Sequence, residues 1–451
     1  MTARPGDARL YRWEKIGLAL GGLLMVAFGV VTEIRSAFLQ FRHTDFNCYT
    51  HVGWLVRTGG DVYGSVATNG LHYTYPSAFA ILMVPFAERP PWVPDDGQFY
   101  VPYSVSVGVW YVFSVACVLW ACHVLANAVL PDAQRGTRRW WYARTVPFYV
   151  CLGGIGFSLG RGQVNLLLVA LVAGMLAAAV KNRRIASGAW LGTAIVFKLI
   201  PAFLLIFPFM RRDWRAGAGV ALASVVGLIV VPFAVYGPKQ TLDQHEFFVK
   251  NIVLAGTAGS GDHPMGKDLT ETTATDSQSF QAALHNIRYW ELQKEDRPPH
   301  ASKEIRLAHW GISGMLTLIT MLVARKRLTN DPVDQLVFLG CLCALLMVVS
   351  PVSHMHYYAI VLPLVAGLWL RDLASRPGQA GGTPATVAAI TAWGIMTALP
   401  LFPGPVFERL RECGFGAAAT VGLWAYGLAV LGKKPAAAQA VPEPAPLRMA
   451  A

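Results

Sequence analysis

Charge is the scarcest commodity in this chain. Only 14% of its 451 residues are Asp, Glu, Lys or Arg, where a soluble domain carries roughly a quarter. That shortage excludes an ordinary water-soluble globule. The seven cysteines include no CxxC pair, which removes zinc ribbons and thioredoxin-like redox motifs. Cys341 and Cys343 stand two apart and point to different faces of a helix, so they do not share a metal. No nucleotide-binding glycine loop and no cluster of paired carboxylates is visible. Neither an internal repeat nor a matched pair of interrupted helices appears, which argues against a repeat-built transporter.

What is abundant is apolar. The hydrophobic share is 54% and the mean hydropathy +0.42. About twelve apolar segments follow one another, near 16–36, 73–87, 103–130, 145–160, 163–180, 185–210, 216–236, 307–324, 333–351, 357–370, 384–401 and 414–432. Many are long enough to cross a hydrocarbon core. The pattern predicts an all-α polytopic membrane protein, one domain over 1–432, followed by a Pro/Ala-rich tail at 433–451 that reads as disordered and cytoplasmic. The first apolar run lacks a small-residue cleavage site and reads as a retained helix.

A net charge of +12 suggests nucleic acid until its distribution is read. The bases gather in short blocks at segment ends: KNRR (181–184), RRDWR (211–215), RKR (325–327) and KK (433–434). That is the positive-inside pattern, with attraction to anionic lipid as its corollary. It places both termini in the cytoplasm and two loops outside, 38–72 and 237–306, together with SPVSHMHYY (350–358). Cys48 and Cys413 fall on that side too, as a candidate pair or as two free thiols. For 73–210 two readings stay open. Either all five segments span, or 73–87 and 185–210 are short or re-entrant, KLIP (198–201) marking a break in the second.

The outer side collects the polar chemistry. Asp45, in FRHTDFNCY just past the first span, reads either as a helix N-cap or as a general base in a pocket dried by Phe46, Tyr49 and Trp54. Tyr49, Tyr63, Tyr73 and Tyr75 read either as interfacial anchors or as rings and hydroxyls that bind a sugar. Lys198, mid-segment, either snorkels or meets a phosphate at headgroup level, with Arg161 in GRGQVN a second candidate. His354 and His356 have an H-x-H spacing, but no acid lies nearby to complete a metal set. The expectation is no metal and an anion-binding or orienting role. TDSQSFQAALHN (275–286) is the insert's amphipathic motif, with Gln278 and Ser279 in it.

In order, these pieces read D-x-x-x-Y, G-x-x-x-Y, Y-x-Y-P, GQVNLLLVAL, WLGTAIVFKLIPAF with RRDWRA, and SPVS-x-x-H. The ordered set resembles family 87 of the glycosyltransferases, integral membrane enzymes of the GT-C type. Its members include mycobacterial mannosyltransferases that use polyprenyl-phosphate mannose to build phosphatidylinositol mannosides. The match runs over roughly 15–370. The resemblance implies a GT-C fold, Asp45 as catalytic base, and His356 as the histidine after S-P-x-S. It puts Lys198, Arg161, Gln163 and Asn165 in the donor region, and Tyr49, Tyr63, Tyr73, Tyr75, His354, Gln278 and Ser279 around sugar and acceptor. The chain departs from the family pattern at His354, where Trp is common, at Tyr357, where a second His is common, and at Ser277, where Asn is common.

The implied reaction is inverting hexosyl transfer, with mannose as the expected sugar, from a polyprenyl-phosphate donor to a lipid- or glycan-linked acceptor. It takes place on the extracytoplasmic face of the cell (inner) membrane and calls for no cofactor. The missing nucleotide loop fits a lipid-linked donor. The rival is a multi-pass transporter of a small anionic or sugar-like solute, which would place its ionisable residues at midplane in related halves. A purely structural membrane protein is the third reading.

Overall fold

The computed structural model describes residues 8–38, 44–258, 265, 270–272, 277–326, 331–376 and 379–433. The tail 434–451 and parts of the long insert, Asp276 among them, lie outside the described residues. Among those described the secondary structure is helical, with isolated bridges such as Ser277 to His354. Among the described residues, eight helices are long and apolar enough to cross a membrane, and three shorter apolar ones accompany them. The chain is a multi-pass membrane protein.

The helices used below are α1 (Arg12–Glu33), α2 (Asp45–Thr58), α3 (Ser77–Leu82), α4 (Tyr103–Val129), α5 (Arg138–Val150), α6 (Leu152–Arg161), α7 (Asn165–Val180), α8 (Arg184–Phe197), α9 (Trp214–Val225), α10 (Pro238–Phe248), α11 (Phe280–Arg288), α12 (Lys303–Arg325) and α13 (Pro332–Val349). At the centre stands α13, apolar on every face beyond Asp334 and Gln335 and 83% buried in protein over its length. α7, apolar after its first residue Asn165, is buried like it. A helix without a polar face has no solvent side to offer, so it becomes a core element. At the rim stands α1, with only 6% of its window buried.

Small residues set the close crossings. A Cβ on Gly188 of α8 would lie 1.8 Å from the Ala216 carbonyl oxygen of α9, and one on Gly219 would lie 2.1 Å from that of Ile185. The two backbones therefore touch, as membrane helices do where small side chains face each other.

The expected break at 198–201 is present. α8 ends at Phe197, Lys198 is extended (φ −155°, ψ 128°), and a 3-10 stretch carries on over Ile200–Leu205. Pro201 at its start has no N–H to continue the helical ladder. The 145–160 segment is also divided: α5 contains Pro147, and α6 begins after Cys151. The 73–87 segment forms only the six-residue α3 and one 3-10 turn at Val84–Phe86.

Candidate functional site

Thr44, not Asp45, holds the cap position of α2 (φ −113°, ψ 147°). Asp45 is the helix's first residue, where the dipole favours a carboxylate. Its Oδ2 accepts from Nε of Arg161 at 3.0 Å. Arg161 is carried there as the last residue of α6, which stops at Gly162 in the left-handed region (φ 66°). A Cβ on Gly162 would meet that of Phe46 at 2.6 Å, so glycine lets α6 abut α2. Phe46 and Tyr49 are buried beside Asp45, whereas Trp54 packs on His51, ring centres 5.7 Å apart.

The tyrosines divide into two groups. Tyr49 donates to the Tyr75 hydroxyl at 2.9 Å, and both bond Gln163 Oε1, at 3.3 and 3.2 Å. Burial pushes both phenols well above their usual range, so they remain O–H donors. Tyr63 and Tyr73 stand behind this triad. Their hydroxyls donate to the carbonyls of Tyr75 and Pro76 at 2.9 and 2.8 Å, and Tyr63 stacks on Phe247 of α10 at 5.2 Å. They shape the YTYP loop and leave the cavity wall to Tyr49 and Tyr75.

Lys198 does not snorkel. It is 7% exposed, with Nζ 4.4 Å from the Tyr357 ring centre and 5.0 Å from that of Tyr75. Such cation–π contacts gain strength where water is absent. Nζ also donates to Asn165 Oδ1 at 3.1 Å, and Asn165 Nδ2 donates to the His356 carbonyl at 3.1 Å. Ser158 Oγ reaches the same carbonyl at 2.9 Å. The His356 ring stacks on Phe157 and Tyr357, with centres 6.3 and 4.9 Å away, and its Nδ1 has no hydrogen-bond partner among the described residues. His354 stands 5.4 Å from His356, ring to ring.

These groups line a cavity of about 630 Å³. Asp45, Tyr49, Tyr75, Arg161, Gln163, Lys198, His354 and His356 all face it, and among the described residues Asp45 is its one acidic residue. Asn165 positions Lys198 from behind the wall. Gln278 and Ser279 are elsewhere. Gln278 accepts from Tyr358 OH at 2.8 Å and donates to the Arg411 carbonyl at 3.1 Å, while Ser279 caps α11 by accepting from Ala282 N at 3.1 Å. They brace the insert on the SPVSH loop, the Gln278 N–H bonding the Ser353 carbonyl. Among the described residues, no three His, Cys, Asp or Glu gather as a metal set.

Sequence reasoning passed over two features. Trp310 of α12 and Phe203, Phe248 and Ile252 supply apolar wall to the cavity, without a local signal to separate them from core residues. A second cavity of about 990 Å³ lies between α1, α5 and α6, floored by Gly17, Gly21, Gly153, Gly156 and Gly160. Arg35, Thr44 and Arg161 close its polar end, so Arg161 lines both cavities. The glycine spacing on α6 was its one trace in the sequence.

The family model of glycosyltransferase family 87 matches residues 73–351, the stretch that supplies Tyr75, Arg161, Gln163, Lys198 and the start of the SPVSH loop. The chain belongs to glycosyltransferase family 87. A second model, YndJ-like protein, matches 309–451. Two relatives share the name polyprenol-phosphate-mannose-dependent alpha-(1-2)-phosphatidylinositol mannoside mannosyltransferase. That of Mycobacterium tuberculosis is 25% identical over 323 residues, 69% of this chain and 66% of the relative. That of Mycolicibacterium smegmatis is 26% identical over 404 residues, 85% of this chain and 81% of the relative. The chain thus spans just under two thirds of the first relative's length. Among solved structures, ArnT from Cupriavidus metallidurans bound to undecaprenyl phosphate aligns over 91% of this chain and 76% of its own, at 14% identity and a TM-score of 0.38. Its apo form aligns over 92% and 77%, at 14% identity and a TM-score of 0.41.

Proposed function

We propose that this family 87 protein transfers a hexose, mannose by the names of its relatives, from a polyprenyl-phosphate donor to the hydroxyl of a lipid-linked acceptor. The observation that carries the reading is the cavity of about 630 Å³ in which one carboxylate, Asp45, faces Arg161, Lys198 and His356. A phosphate needs cations and an attacking hydroxyl needs a base, and the cavity wall holds both.

Lys198, held by Asn165 between two rings, meets the donor phosphate. The linked hydroxyls of Tyr49 and Tyr75 and the Gln163 amide face the sugar. Asp45 takes the acceptor's proton as its oxygen attacks the anomeric carbon from the side opposite the phosphate, so configuration inverts. Polyprenyl phosphate leaves without a general acid, because Lys198 and Arg161 oppose the charge that builds on it. The acceptor approaches through the glycine-floored cavity beyond Arg161. The site faces the extracytoplasmic side, as the basic blocks at segment ends imply.

The test is direct. Purified protein receives radiolabelled polyprenyl-phosphate mannose and a membrane lipid extract, and the organic phase is examined for a labelled glycolipid with inverted linkage. A label that stays wholly on the polyprenyl donor, under conditions where a known mannosyltransferase consumes it, would sink the reading.

A further inference from the structure

Arg161 occupies an unusual place: it ends α6 where the two cavities meet, and it already has a partner in Asp45 at 3.0 Å. A cation engaged with the base is an odd choice for a phosphate ligand, unless the engagement is meant to end. The other cation in the cavity is differently placed. Lys198 is buried, tied to Asn165 and set between two aromatic rings. The Arg161 side chain is 34% exposed and that of Asp45 18%, at the junction of two open spaces. Of the two, Arg161 is the cation nearer open space.

The charge balance of the transfer supplies the reason to change. The bond from the anomeric carbon to the phosphate oxygen breaks, and its electron pair stays on the phosphate. The acceptor oxygen forms the new bond to that carbon and gives its proton to Asp45. The carboxylate therefore goes from charged to neutral. The phosphate goes from a singly charged diester to a monoester carrying about −1.5 to −2. One unit of negative charge has in effect crossed from Asp45 to the phosphate. Hydrogen bonds to an ionised partner are about twice as strong as neutral ones, so a guanidinium beside both groups is drawn across with it.

We propose that Arg161 is handed from Asp45 to the departing phosphate during transfer. The proposal rests on the glycosyl-transfer reading above. In the resting protein the guanidinium is paired with the Asp45 carboxylate. In the product state it belongs to polyprenyl phosphate. Arg161 then contributes little to donor affinity and much to affinity for the released polyprenyl phosphate.

The experiment compares binding of donor and of polyprenyl phosphate to wild type, Arg161→Gln, Arg161→Lys, Asp45→Asn and the Asp45→Asn/Arg161→Gln double variant, with kcat beside it. Arg161→Gln should lower kcat by about 10² or more while the donor KM stays within about twofold and polyprenyl phosphate binds about tenfold more weakly. Arg161→Lys should recover part of both losses. Asp45→Asn, which imitates the neutral carboxyl, should bind polyprenyl phosphate more tightly than wild type, and the double variant should lose that gain. Equal weakening of donor and product by Arg161→Gln would make Arg161 a fixed phosphate clamp and overturn the handover. Unchanged affinity for both, with kcat reduced, would overturn it too and leave Arg161 a support for Asp45. The binding arms need no turnover. Absence of transfer by wild type therefore strikes the functional reading, whereas active wild type without the Asp45→Asn gain strikes only the handover.

Discussion

The two cavities that meet at Arg161 are made of opposite materials. The smaller is walled by a carboxylate, an ammonium, a guanidinium, three histidines and three tyrosines, gathered from stretches near 45, 75, 161, 198 and 355. The larger is walled mostly by α1, α5 and α6, and its width comes from glycines that put nothing into it. In one the chain supplies groups that must converge from a distance. In the other it withholds side chains so that an apolar body can lie between helices. The first is a chemical site and the second a steric one, so damage to each should take a different form.

Asp45→Asn should give the largest effect. The amide keeps the shape of the carboxyl but cannot take a proton, so activity should fall by about 10² to 10⁴ with protein level and donor binding retained. Near-normal transfer by this variant would erase the contrast and move the base to His356, whose Nδ1 has no partner among the described residues. Lys198→Met comes next. It keeps length and removes charge, and donor affinity should fall by about 10 to 10². A protein that stays inserted yet binds donor as before would show that Lys198 serves packing alone. Gly156→Leu is the mildest. A Cβ there would have no neighbour nearer than Phe28 at 4.0 Å, so the side chain enters the large cavity without touching backbone. Acceptor KM should rise about three- to tenfold, in line with an overpacking cost of about 1 kcal/mol, with donor binding unchanged. If donor affinity falls instead, the assignment of the two cavities is reversed. Gly21→Ala would be a poorer probe, because its methyl would meet the Tyr149 hydroxyl at 2.0 Å.

Much of this frame was legible from residue types. Eight of the twelve apolar runs became helices long enough to span, because a bilayer selects on length and hydropathy. Those at 73–87, 145–160 and 185–210 form shorter or broken helices. The break at Lys198 was legible from a lysine and a proline in one apolar run. Asp45 stood out as an acid just past a helix end. What could not be read is which helix faces what: α1 and α13 have hydropathies of 1.9 and 2.1, yet 6% of one window and 83% of the other are buried. Lipid and protein interior are equally apolar, so the sequence pattern hardly separates them. The Asp45–Arg161 pair spans 116 positions and leaves no local trace. Gln278 and Ser279 looked like ligands because a brace and a ligand use the same polar side chains. Only their partners, Tyr358, Arg411 and Ala282, tell the difference.

Asn165 has a consequence for how such a site changes over generations. Its carbonyl oxygen holds the Lys198 ammonium and its NH₂ holds the His356 backbone. Two atoms of opposite polarity thus face two different partners from one short side chain. A leucine there would strand a buried ammonium, and an aspartate would lose the donor and grip the ammonium too firmly to leave it for a phosphate. A glutamine would carry the same amide one carbon too far. Single substitutions at this position therefore lead downhill in every direction, while apolar wall residues such as Phe203 and Ile252 can drift one at a time. New acceptor preferences would accumulate from the rim inward and stop at Asn165.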